Sequence, residues 1–245
     1  MKVQQKEGLF NKYLSLVKKV SKEYYKNPNL IGIIWIGSAS FGIYDDFTDI
    51  DIFLITPKSS RDFEMQQFRE IDIKVEVDKM DINWLLENTK PDSEQFWIRE
   101  EAEIIYDPEN ILKNKFQKAN YVKPEVYRKL LWSLYKEIFN SYNLEKSIKR
   151  NEIITGHMYV LKTIEILSKF VFIYHEKAVP TYKWRWYFIK KQNLIDKKLI
   201  KKLININLGD YKSNLRLLKN IETYVQKMMI KKGYPSKKVK EPWLF

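Results

Sequence analysis

Apolar positions recur at two different periods along this chain, and the change from one period to the other divides it. Leu9, Phe10, Tyr13, Leu14, Leu16, Val17 and Val20 fall at helical spacing, so residues 9–25 are expected to form an amphipathic helix, stopped by Asn27-Pro28-Asn29. Short runs rich in β-branched residues follow. LIGIIWI (30–36) reads as a buried strand ended by Gly37-Ser38, DIDIFLIT (49–56) as a second, and REIDIKVEV (69–77) as a third. In the third, Ile71, Ile73, Val75 and Val77 alternate with Asp72, Lys74 and Glu76, the period of a half-buried strand.

After Pro124 the strand period disappears. Val126, Leu130, Leu131, Leu134, Tyr135, Ile138, Phe139 and Tyr142 make one helical stripe, with Pro124 suited to its first turn. Ile153, Ile154, Val160, Leu161, Ile164, Leu167, Val171 and Phe172 make another, and residues 196–206 and 211–230 give two more, joined near Gly209. The expectation is an α+β chain: a domain of strands and helices over residues 1–120, then an all-helical bundle of four or five helices over 121–245.

Composition narrows the chemistry. With 44% hydrophobic residues among 245, the chain can build real cores, and seven Gly and eight Pro leave little for flexible linkers. The absence of Cys excludes thiolate sites, and two His are too few to suggest zinc, so a catalytic metal must sit on carboxylates. No apolar run reaches the roughly 18 residues that span a bilayer, so no membrane partner is expected, and the location expected is the cytoplasm. Charge is unevenly shared. Residues 1–120 hold 17 Lys and Arg against 21 Asp and Glu, whereas 121–245 hold 27 against 10, a net +17. Such a half attracts polyanions, nucleotide phosphates or RNA among them, although Lys also fills solvated faces without any partner.

The candidate chemistry lies in IIWIGSASFGIYDDFTDIDIFLI. Residues two apart on a strand share a face, so Asp49 and Asp51 point together while Ile50 and Ile52 enter the core. Glu76, between Val75 and Val77, stands on the polar face of its own strand and can join them from a neighbouring one. Three carboxylates that close repel unless a divalent cation neutralises them, and Mg²⁺ suits an all-oxygen set shared with substrate phosphates. Gly37 lets backbone approach those phosphates. Ser38 offers a hydroxyl and, if it opens a helix, a row of N–H groups.

An apolar strand, Gly37-Ser38, then Asp49-Ile50-Asp51 and a later apolar-flanked Glu76 resembles the signature of the polymerase β-type nucleotidyltransferases. Within them, the Ser38-to-Asp49 spacing, Lys74-Val75-Glu76-Val77 and the end KKGYPSKKVKEPWLF look similar to the aminoglycoside (kanamycin) nucleotidyltransferases. The resemblance implies a mixed sheet with helices followed by a helical substrate-binding domain. It implies Mg²⁺, with ATP or another nucleoside triphosphate as co-substrate, and a small-molecule hydroxyl as acceptor. Asp49, Asp51 and Glu76 would hold metal, and Gly37, Ser38, Asp49 and Asp51 the nucleotide; a homodimer is left open. Two positions depart from the pattern. Phe41 stands where the family carries an Arg, and Asn140 falls where the simplest alignment puts the general base, so either Glu137 or Glu145 on the same helix takes that role or the substrate differs.

The acceptor divides the readings. An aminoglycoside is a polycation, so acidic residues such as Glu100, Glu101 and Glu103 would have to dominate its pocket. RNA fits the basic half as an alternative acceptor, and a non-catalytic, antitoxin-like nucleotide-binding module is the reading outside enzymes. His157 and His175 read as structural, and Tyr182 to Tyr187, a mix of cations and aromatics, as helix packing with a base-stacking alternative.

Overall fold

The computed structural model describes residues 7–44, 48–57, 66–70 and 73–234, with backbone alone at 7–8 and 66–70. The chain forms two compact units, Met1–Val122 and Lys123–Phe245. Among the described residues, no helix is long and apolar enough to cross a membrane.

In the first unit, α1 (Glu7–Lys22) lays Tyr13, Leu16, Val17 and Val20 onto a five-stranded mixed sheet. Its strands are β1 (Gly32–Ile36), β2 (Ile50–Thr56), β3 (Gln66–Glu70), β4 (Ile73–Asp81) and β5 (Glu103–Tyr106), in the order β3-β4-β2-β1-β5. β2 runs parallel to β4, and the other three pairings are antiparallel. β1 is buried along its whole length, as its unbroken apolar run requires. Ile33, Trp35, Ile50, Ile52, Leu54, Val75 and Val77 join the core under α1, which turns the alternate residues of β2 and β4 to the other face. The run REIDIKVEV is not one strand. Arg69 and Glu70 end β3, and Ile73 begins the antiparallel β4; Ile71 and Asp72 lie outside the described residues.

Among the described residues, three further helices belong to the unit: α2 (Ile82–Glu87), α3 (Glu94–Glu101) and α4 (Ile111–Ala119). Arg99 of α3 is 4% exposed and binds them together. Its Nε donates to Asn120 Oδ1 (2.8 Å), Nη2 to the Asn88 carbonyl (3.0 Å), and Nη1 to the Leu85 carbonyl. Desolvation lowers its pKa from the ordinary Arg value.

The second unit is helical, with six α-helices among its described residues where the periodicity suggested four or five. They are α5 (Pro124–Glu137), α6 (Ser141–Lys149), α7 (Ile153–Tyr174), α8 (Arg185–Lys191), α9 (Lys197–Ile204) and α10 (Tyr211–Lys231), with a 3-10 turn at Tyr182–Trp184. The stripe from Val126 to Tyr142 is cut at Asn140, whose buried Nδ2 donates to the Glu137 carbonyl (2.9 Å) and to Thr163 Oγ1 (3.2 Å). The new helix is capped from afar: Glu222 of α10 accepts from both Ser141 N and Ser141 Oγ at 2.8 Å. Burial raises the Glu222 pKa against those hydrogen bonds. Tyr142, Ile153, Ile154 and Leu161, which share the apolar stripes, are exposed.

Arg99→Met should therefore lower stability by about 2–4 kcal/mol, because the oxygens of Asn120, Asn88 and Leu85 lose a charged donor that is itself buried. The urea midpoint should fall with an unchanged denaturant slope, and an unmoved midpoint would show that water replaces the guanidinium without cost.

Candidate active site

Asp51 lies opposite Ile36 of β1 on one side and opposite Glu76 of β4 on the other. Because β2 and β4 are parallel and in this register, their alternation puts Asp51 and Glu76 on the face away from α1, beside Ile36. Asp49, just before β2, joins them. One carboxylate oxygen from each of Asp49, Asp51 and Glu76 lies within 4.8 Å of the others, and all three residues are half-buried.

Gly37 closes the group from β1. Its φ is +105°, and a Cβ built there would stand 2.2 Å from Asp51 Oδ2, so no other residue fits while that carboxylate keeps its place. The next residues form turns. Ser40 Oγ donates to the Gly37 carbonyl (2.9 Å), and the N–H groups of Phe41 and Ile43 donate to the Ser38 carbonyl at 3.2 and 3.0 Å. Ser38 thus opens a stitched turn, and no helix starts there. Phe41, at the position where the resemblance implies an Arg, is buried with its ring 5.5 Å from that of Trp97.

Lys74 is the member that the sequence reading passed over. It shares the polar face of β4 with Glu76, two residues on, and makes an ion pair with it. Its ammonium pKa is raised, chiefly by the hydrogen bond to Glu76; desolvation opposes this as the next-largest effect, and the charges of Glu76, Asp49 and Asp51 raise it further. One flexible, exposed cation thus faces three carboxylates, which still leaves negative charge in excess. The signal was present in the alternation of Lys74 with Glu76.

Oxygen donors without sulfur or nitrogen, converging from two paired strands, fit a hard divalent cation. The cation would relieve a repulsion worth a few kcal/mol for each carboxylate pair at this spacing. Gly37 packs directly against Asp51 and so holds that carboxylate in place from behind.

The remaining candidates belong to other elements. Glu137 ends α5 in the second unit with its side chain exposed, and Glu145 of α6 is paired with Lys149 at 2.9 Å, which lowers its pKa. Glu100, Glu101 and Glu103 are exposed at the junction of α3 and β5. His157 stacks on Tyr211, and the ring Nε2 of His175 lies 3.2 Å from the Leu194 carbonyl oxygen. Arg185 donates to the Pro180 carbonyl at 2.9 Å and lies 3.6 Å from Glu165, contacts that serve packing.

No protein-family model matches the chain, and no curated protein matches it. Among solved structures it is similar to a nucleotidyltransferase-like protein from Exiguobacterium sibiricum 255-15, at 15% identity and a TM-score of 0.47, over 89% of this chain and 77% of that one.

Gly37→Ala should cost about 1–3 kcal/mol or more, from the left-handed backbone and from displacement of Asp51. Urea unfolding in EDTA checks this without any contribution from bound cation. Stability equal to that of the unchanged protein would mean that Gly37 and Asp51 do not pack as described.

Proposed function

We propose that the chain is a Mg²⁺-dependent nucleotidyltransferase that moves a nucleoside monophosphate, AMP from ATP, to a hydroxyl of a small molecule of the aminoglycoside type. The observation that carries this reading is the convergence of Asp49, Asp51 and Glu76 within 4.8 Å beside Gly37. The motif resemblance supports it, since these are the positions at which that family holds its metal and nucleotide.

In the reaction, the acceptor oxygen bonds to the α-phosphorus while the bond from that phosphorus to the bridging oxygen breaks. Pyrophosphate departs with the electron pair. The bound cation would supply charge neutralisation at the phosphoryl oxygens. Asp49, Asp51 and Glu76 would hold it, and the Gly37-Ser38 backbone would approach the phosphates without a side chain in the way. The proton of the attacking hydroxyl needs an acceptor, for which Glu137 is the better of the two Glu considered. Lys149 stabilises the ionised Glu145 and so lowers its proton affinity.

RNA is the second reading for the acceptor, favoured by 27 Lys and Arg against 10 Asp and Glu in residues 121–245. Labelled ATP with Mg²⁺, offered aminoglycosides, lincosamides and total RNA in turn, separates the readings. Label is expected on the small hydroxylated compound, and Asp51→Asn should reduce transfer at least about 100-fold while the fold persists by circular dichroism. Label on RNA alone would replace the acceptor and keep the chemistry. No transfer to anything, despite tight nucleotide binding, would make the chain a binding module.

Cation and nucleotide should also bind with positive coupling, because each lessens the charge that the other meets. ATP with Mg²⁺ is expected to raise the melting temperature by more than the sum of the two separate shifts. An equal shift for ATP in EDTA would count against the metal-bridged arrangement.

A further inference from the structure

The helical unit holds a cleft that nucleotidyl transfer at the triad does not call on. In α9, KKLIKKLI, Leu199 and Leu203 are buried. Lys198, Lys201, Lys202 and Asn205 recur at positions i, i+3, i+4 and i+7, which places them along one stripe. Ser213, Arg216, Leu217 and Asn220 repeat the same spacing on α10. These two stripes and the connecting segment 205–210 enclose a cleft of about 590 Å³. That size lies within the range of small-ligand sites.

The connecting segment is held in shape. Asn214, 2% exposed, donates from Nδ2 to the carbonyls of Asn207 and Leu208, both at 3.0 Å, and Asn207 Oδ1 accepts from Gly209 N at 3.0 Å. The floor is apolar, from Ile206 and Leu217, and the rim carries the amides of Asn205, Asn207 and Asn220. Among the described residues, none of Lys198, Lys201, Lys202 and Arg216 makes a salt bridge. The one carboxylate lining the cleft, Asp210, caps α10 by accepting from Ser213 N at 3.0 Å.

We infer that this cleft binds a single-stranded nucleic acid, with phosphodiesters along the Lys stripe and Arg216, and a base over Ile206 and Leu217 within reach of the rim amides. Four cations against one committed carboxylate select an anion and disfavour a cationic drug. Their arrangement selects a strand. From Lys198 to Lys202 the cations cover roughly 6 Å of helix, and Arg216 adds a further one from α10, a set suited to more than one phosphate of a strand. A free nucleoside triphosphate brings Mg²⁺, and this cleft has no uncommitted carboxylate to receive it.

The inference does not rest on the proposed transfer reaction, and its test avoids that reaction. Binding of a fluorescein-labelled single-stranded RNA of about 12 nucleotides to the full chain is read by anisotropy, in EDTA and without nucleoside triphosphate, over a series of salt concentrations. Two variants of equal charge change are compared: Lys198→Gln, Lys201→Gln, Lys202→Gln in the cleft, and Arg150→Gln, Lys162→Gln, Lys227→Gln elsewhere in the unit. Gln keeps helix propensity close to that of Lys and Arg. The cleft variant should bind at least about tenfold more weakly, and its log–log salt slope should be shallower by roughly 2, from three cations at about 0.7 each. The comparison variant should retain affinity within about threefold, because the direct contacts stay. Equal losses in both variants would reduce the effect to overall charge and overturn the site. Displacement of the RNA by equimolar ATP, or binding to vesicles of anionic phospholipid with none to RNA, would overturn it as well.

Discussion

The parallel register of β2 against β4 is the constraint on which the candidate site depends. Side chains alternate with a period of two, so a slip of one residue would bring Val75 or Val77 to Asp51 and send Glu76 under α1. The apolar side of the same strands prevents it. Ile50, Ile52, Val75 and Val77 are buried, and at about 1.5–3 kcal/mol for each such side chain the core outweighs a carboxylate repulsion of a few kcal/mol. The hydrophobic face thus holds together a polar group that would disperse if left to its own electrostatics.

What was legible in the sequence follows from this division of labour. Alternation over Asp49 to Ile52 and Lys74 to Val77 encodes which residues share a face, and the structure places them so. Edge strands leave weaker marks. The four-residue β5 is no longer than many loops, and β3 adjoins β4 so closely that the two read as one run. In the helical unit, periodicity identified the long helices but not the break at Asn140. That break depends on Thr163 and Glu222, residues too distant along the chain for any local pattern to announce.

Both units concentrate like charges on a scaffold, and the two clusters are met differently. In the first unit, Lys74 offsets part of the charge of Asp49, Asp51 and Glu76, and an oxygen-loving cation suits what remains. In the second, the lysines of α9 are long side chains that keep their ammonium groups in water, and Asp210, the carboxylate that lines the cleft, caps α10, so four cations outnumber it. Carboxylates gathered at paired strands form a compact cluster, whereas lysines on a helix form an extended row.

The cap of α6 by Glu222 bears on the order in which the chain acquires its structure. Ser141 and Glu222 are separated by 81 residues, so during synthesis the Ser141 cap of α6 lacks its carboxylate until just over half of α10 has been made. The first unit builds its sheet and the core under α1 from residues of its own stretch of chain and can consolidate while the ribosome is still adding α7 to α10. The helical unit, despite its locally formed helices, closes through a contact of high sequence separation and is the later of the two to settle.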